Sequence, residues 1–130
     1  MKCFFDYLFY KYYWFQQKVG NGDLAPFMSM LIIAFTLMLY YFSFTFIIIF
    51  FIPNLEINME HFKNISIFLF FLLIFLCYLK FLYNENFKKI LKNDMFKNKS
   101  NLNAILFPLI AFLLFNLGWI LKMFQNQGKI

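Results

Sequence analysis

The sequence predicts an all-α integral membrane protein, with three transmembrane helices preceded by an amphipathic interfacial helix. Three observations carry this. Hydrophobic residues make up 63% of the 130 residues and charged residues 14%, against about 45–50% and about 25% in soluble domains. The apolar residues gather in three long, charge-poor stretches. The polar stretches between them are too short to fold as independent units.

The chain divides into an aromatic region, residues 1–22, and a transmembrane unit, residues 23–130. In the first, KCFFDYLFYKYYWFQQKV (2–19) is interrupted too often to span, by Lys2, Asp6, Lys11, Gln16, Gln17 and Lys18. It also lacks the clean apolar core and small-residue cleavage site of a secretory signal. On a helix, Phe5, Leu8, Tyr12, Phe15 and Val19 share one face, while Lys2, Asp6, Tyr10, Tyr13 and Gln17 share another. Tyr and Trp join an apolar ring to a polar tip and settle at headgroup level. Phe5, Tyr12, Trp14 and Phe15 are therefore expected at the membrane interface. Packing of this helix on the others is a second, compatible reading.

Gly20 supplies a left-handed helix end. Asp23 is the expected N-cap of the next helix, with Pro26 in its first turn. The first span covers about residues 27–52 without a charge. At 1.5 Å per residue it exceeds the roughly 30 Å hydrocarbon core, so it should tilt or project. Pro53 ends it, and a loop with Glu56, Glu60, His61 and Lys63 follows to residue 64. The second span covers about residues 65–83, with Lys80 near enough to its end to snorkel. Residues 84–101 form a basic loop, in which Phe87, Ile90, Leu91 and Met95 lie at helical spacing. Asn101 is placed to cap the third span, about residues 102–124, which Pro108 should kink.

The net charge of +6 comes from lysine alone, since there is no Arg. Missing Arg weakens bidentate phosphate or base recognition, and no nucleic-acid partner is expected. Three spans place nine lysines on the side of the N-terminus and basic loop, and three on the other. The positive-inside rule then puts the N-terminus in the cytoplasm and the C-terminus outside. Lys88, Lys89 and Lys92 would meet the anionic leaflet, where each lysine near the surface contributes about 1 kcal/mol.

No residue set points to catalysis, a metal or a cofactor. The two cysteines, Cys3 and Cys77, have neither metal nor disulfide spacing. Glu56, Glu60 and His61 read as a solvated loop. There is no phosphate-binding glycine loop, nucleophile elbow or CxxC. The spans carry polar positions only. Ser29, Ile33, Thr36, Tyr40 and Ser43 share a face of the first span. Ala104, Pro108, Ala111, Phe115, Gly118 and Lys122 share a face of the third. Asn116 lies deep in that span and requires a hydrogen-bond partner. Thr36, Tyr40, Ser43, Asn116 and Gly118 are thus candidates for helix packing or for lining a pore, with packing the stronger reading.

FDYLFYKYYWFQQKVGNGDLAPF (Phe5 to Phe27) resembles a family of small, uncharacterised three-helix membrane proteins of Bacteroidota with an aromatic FDYL(F/Y)Y N-terminal segment. Lys11 stands where that family often has Arg. The resemblance implies three helices in a bacterial inner membrane and carries no chemistry. An organelle inner membrane is the alternative location. The function expected is a non-enzymatic accessory or scaffold subunit, docking partners or anionic lipid on the cytoplasmic face. Its partners are the bilayer and other membrane subunits or itself. The alternative is a homo-oligomeric pore or membrane-perturbing effector, defence- or holin-like, which lacks charges to line a lumen.

Overall fold

The computed structural model describes residues 4–52, 54, 56–92 and 94–128. Lys2, Cys3, Pro53 and Lys129, used in the sequence reading, lie outside the described residues. The described chain is all-α, with helices α1 (Phe4–Lys18), α2 (Ala25–Phe51), α3 (Met59–Cys77), α4 (Asn86–Leu91) and α5 (Leu102–Asn126). Three helical stretches, Gly22–Phe51, Met59–Leu91 and Leu102–Asn126, contain segments long and apolar enough to cross a membrane. Their outward surfaces carry large apolar side chains such as Phe35, Phe44, Phe68, Phe71, Phe112 and Leu113, all exposed. That pattern suits a lipid solvent.

Helix α2 is the central element. It packs most extensively on α5, then on α1, and α3 leans chiefly on it. Ala111 and Gly118 are buried on α5 seven residues apart, and Ser43 is fully buried on α2. Small side chains, and the missing Cβ of Gly118, let two backbones approach. A Cβ added to Gly118 would lie 3.1 Å from the Cβ of Phe46 and 3.4 Å from the Ser43 carbonyl oxygen. At the far end, the side-chain amide of Gln125 donates to the Phe50 carbonyl at 3.2 Å and accepts from Lys122 Nζ at 2.9 Å. One of the carbonyls left over at the end of α2 is thereby paired.

Several boundaries differ from expectation, each for a local reason. Gly20 does adopt φ +93° at the end of α1. Asp23, however, lies inside a 3-10 turn, Gly22–Leu24, and Leu24 takes the N-cap position of α2 with no side-chain bond. Helix α3 begins at Met59, because the Asn58 side chain accepts the Glu60 and His61 N–H groups at 3.0 and 3.4 Å. Glu60, His61 and Lys63 therefore belong to its first turns, where a loop was expected. Its other end widens into a π turn, Tyr78–Leu82, and the chain then kinks at Asn84 (φ 52°) and Glu85 (φ 56°). The α4 turn occupies residues expected as a short surface helix. Asn101 makes no side-chain cap; the Ser100 hydroxyl accepts the Leu102 N–H instead, at 3.1 Å.

The close approach at Gly118 generates a prediction. Gly118→Leu should lower stability by about 1–3 kcal/mol through overpacking. Gly118→Ala should cost less, since Ala gains about 1 kcal/mol of helix propensity over Gly. Reversible unfolding in mixed detergent–SDS micelles measures both. A Leu variant as stable as the parent would contradict the packing described.

Candidate interfacial site

Helix α1 docks into the bundle with Leu8, Phe9, Tyr12 and Gln16 buried, positions spaced to form one stripe. This corrects the expected face. Phe15 and Val19 are more than half exposed, whereas Tyr7 and Tyr10 are buried. Phe9 stacks on Phe81 with ring centroids 4.6 Å apart and planes 13° apart. Lys80 beside it pairs with Asp6 at 3.4 Å, so its ammonium is committed to α1.

Three donors on α1 then grip the segment entering α5. Tyr7 donates its hydroxyl to the Ser100 carbonyl. Lys11 donates to the Lys99 carbonyl at 2.6 Å, and Tyr12 to the Ala104 carbonyl at 2.7 Å. The last bond has a covalent cause. Pro108 lies inside α5 and has no N–H to offer the carbonyl four residues before it. That carbonyl belongs to Ala104, which is buried, and Tyr12 supplies a donor from another helix. Tyr12 was expected in the headgroups; this bond explains why its polar tip points inward. Phe5 is likewise half-buried, edge-on to Phe107. Trp14 and Phe15 remain on the outer surface.

These contacts build a cleft of about 930 Å³ between α1, the turn before α5 and the first turns of α5. Its basic side is Lys11, Lys18, Lys97 and Lys99, and its aromatic side is Tyr10, Trp14 and Phe15. Ile32, Leu91, Ile105 and Pro108 add apolar surface. No carboxylate is among the described residues lining it. Lys99 Nζ lies over the rings of Phe96 and Tyr7, 5.2 and 5.8 Å from their centroids, and Lys11 Nζ lies 6.0 Å from that of Tyr10. Aromatic faces attract cations at such distances. Partial burial, and secondarily the charge of Lys18, hold the Lys11 ammonium below its ordinary pKa of 10.5.

The other basic candidates sit elsewhere. Lys88, Lys89 and Lys92 are exposed on or just after α4 and do not line the cleft. Lys88 pairs with Glu85 at 2.6 Å on the open surface. The lysines that converge are thus Lys97 and Lys99 with two from α1, a grouping created by the docking of α1. A hint lay in the sequence: Phe96 directly precedes them, and it becomes a fully buried anchor.

The polar candidates within the spans satisfy themselves. Ser29, Thr36 and Ser43 each donate to the carbonyl four residues back, at 2.6–2.7 Å. Asn116 does the same to Phe112 at 2.7 Å, so it meets its need without another helix. Tyr40 bridges α2 to the Phe107 carbonyl at 2.7 Å, and Ser43 lies 3.5 Å from the Ala111 carbonyl oxygen. Hydroxyls bonded in this way pack against a neighbour without leaving a polar group unmet. Among the described residues no group of His, Cys, Asp and Glu has the arrangement of a metal site. No family model, no curated protein and no solved structure matches the chain.

Two predictions follow the Tyr12 contact. Tyr12→Phe leaves the Ala104 carbonyl without that donor and should cost about 1–3 kcal/mol. In a Pro108→Ala background the restored N–H reaches Ala104, so the same change should cost markedly less; a double-mutant cycle measures the difference. Equal costs in both backgrounds would contradict the assignment. The second prediction concerns pH. Burial, with smaller contributions from Tyr7 and Tyr40, holds the Tyr12 hydroxyl above its ordinary value of 10.0. Above that pH the unfolded chain releases this proton and the folded chain does not. The stabilisation is complete below pH 10.0 and declines as pH rises further. Alkaline unfolding should therefore be steeper in the parent than in Tyr12→Phe.

Proposed function

We propose that the protein is a non-enzymatic accessory or scaffold subunit of a bacterial inner membrane, with an anionic-lipid docking surface on the cytoplasmic face. The observation that carries this reading is the contact of α1 with the segment 96–104. It joins an aromatic helix and a lysine-rich turn at one end of the bundle. Aromatic rings and lysines are the side chains suited to the headgroup layer, the first by amphipathicity and the second by attraction to anionic lipid. The lysine asymmetry orients this end toward the cytoplasm and the end bearing Gln125 outward. The self-paired hydroxyls of α2 and the tight seat of Gly118 favour packing over a pore, because neither offers a wet surface to a lumen.

Extraction of native membrane discs with an amphipathic polymer tests the role. The chain should come out with at least one further membrane subunit, in discs enriched in anionic phospholipid over the bulk membrane. Neutralising Lys88, Lys89, Lys92, Lys97 and Lys99 together should abolish that lipid enrichment. A chain recovered alone, in lipid of bulk composition, would overturn the reading.

A further inference from the structure

The cleft has the properties of a specific site, which a merely basic surface does not require. We propose that it binds one anionic phospholipid, with the phosphate held by Lys11, Lys97 and Lys99 and the acyl chains laid along Phe15, Ile105 and Pro108. The inference rests on the docking reading above and assigns it a ligand class and a place.

Size is the first support. At about 930 Å³ the cleft lies toward the upper end of small-molecule sites, about 300–1,000 Å³. It has room for a headgroup with the upper part of its chains.

Charge is the second. Four lysines line the cleft, and no described carboxylate there offsets them. Lys11 and Lys18 are close enough for one to disfavour the charged form of the other. An anion beside Lys11 offsets that repulsion. Lys11 spends one of its three ammonium donors on the Lys99 carbonyl, which leaves two for a ligand.

The third support is preorganisation. The Lys11 and Lys99 ammonium groups already rest over aromatic faces, so binding need not freeze two free side chains. Lys99 is further located by its own backbone, which Lys11 grips.

Continuity with the hydrocarbon decides the source of the phosphate. Ile105 and Phe15 line the cleft and are 61% and 57% exposed. They open it sideways onto the lipid-facing surface of α5. Pro108 lies about 9 Å along that helix from its first residue, toward acyl-chain depth. A free phosphate or an acidic peptide would leave this apolar wall uncovered, whereas a phospholipid covers both halves.

The full chain, purified in a neutral detergent, should be titrated with short-chain phosphatidylglycerol and read by native mass spectrometry. One lipid per chain should be retained at low occupancy of all others. Phosphatidylcholine should be retained far less, and inorganic phosphate or a poly-glutamate peptide should compete poorly. Lys97→Gln with Lys99→Gln should weaken retention by about 30-fold, taking each lysine at its usual surface contribution. Lys97→Arg with Lys99→Arg should keep it. Lys88→Gln with Lys89→Gln, outside the cleft, should change it by less than about twofold. Circular dichroism confirms that each variant folds.

Several weakly held lipids, lost equally from both glutamine variants, would overturn the site while leaving surface docking intact. No preference for phosphatidylglycerol over phosphatidylcholine in any form would overturn both. Displacement by phosphate or by poly-glutamate at low concentration would overturn the lipid assignment in favour of a soluble anion or an acidic peptide.

Discussion

Away from water, a backbone carbonyl has to find its donor within the protein, and Pro108 deprives Ala104 of the one its own helix would supply. The Tyr12 hydroxyl meets that need from α1. Much else follows from this bond. It brings α1 against the start of α5, where Tyr7 and Lys11 reach the Ser100 and Lys99 carbonyls. Helix α1 is thereby tied to the bundle. The polar tips of Tyr7 and Tyr12 serve as internal donors, while Trp14 and Phe15 are exposed.

The same accounting explains the interior of the bundle. The Ser29, Thr36 and Ser43 hydroxyls of α2 turn back onto their own helix, and so does the Asn116 amide on α5. The contact between α2 and α5 can then be made by shape, with Gly118 seated against Phe46 and Ser43. Hydrogen bonds between the helices come from Tyr40, and at the far end from Gln125. Polar groups that demand nothing from a neighbour are compatible with close packing, and they explain how a stripe that resembles a lumen lining becomes a seam.

At the basic end, electrostatics and geometry pull in different directions. Like charges repel, yet Lys11, Lys18, Lys97 and Lys99 share a cleft. Hydrogen bonds and aromatic rings hold two of them there without a counter-ion from the described lining. Lys80, by contrast, has its own partner in Asp6. The described lysines thus divide into those neutralised within the fold and those left to act outward.

The helical class and the three long apolar helices were legible in the sequence, because length, apolar content and the absence of charge act locally. The small face of α5 was legible too, from the spacing of Ala104, Ala111 and Gly118. Its seating against Ser43 and Phe46 was not, since it depends on how two helices cross. The boundaries that moved did so where a nearby side chain competed for a backbone group, as Asn58 does at the start of α3. The cleft was decided by tertiary structure alone. Lys11 and Lys99 are far apart in sequence, and Lys88, Lys89 and Lys92 formed the denser cluster. The membrane-spanning composition was determined by the sequence itself, since every residue of a span faces the same solvent requirement. Which lysines would meet depended on where α1 docked, and that rests on a carbonyl that Pro108 leaves unpaired in its own helix and that Tyr12 reaches only in the folded chain.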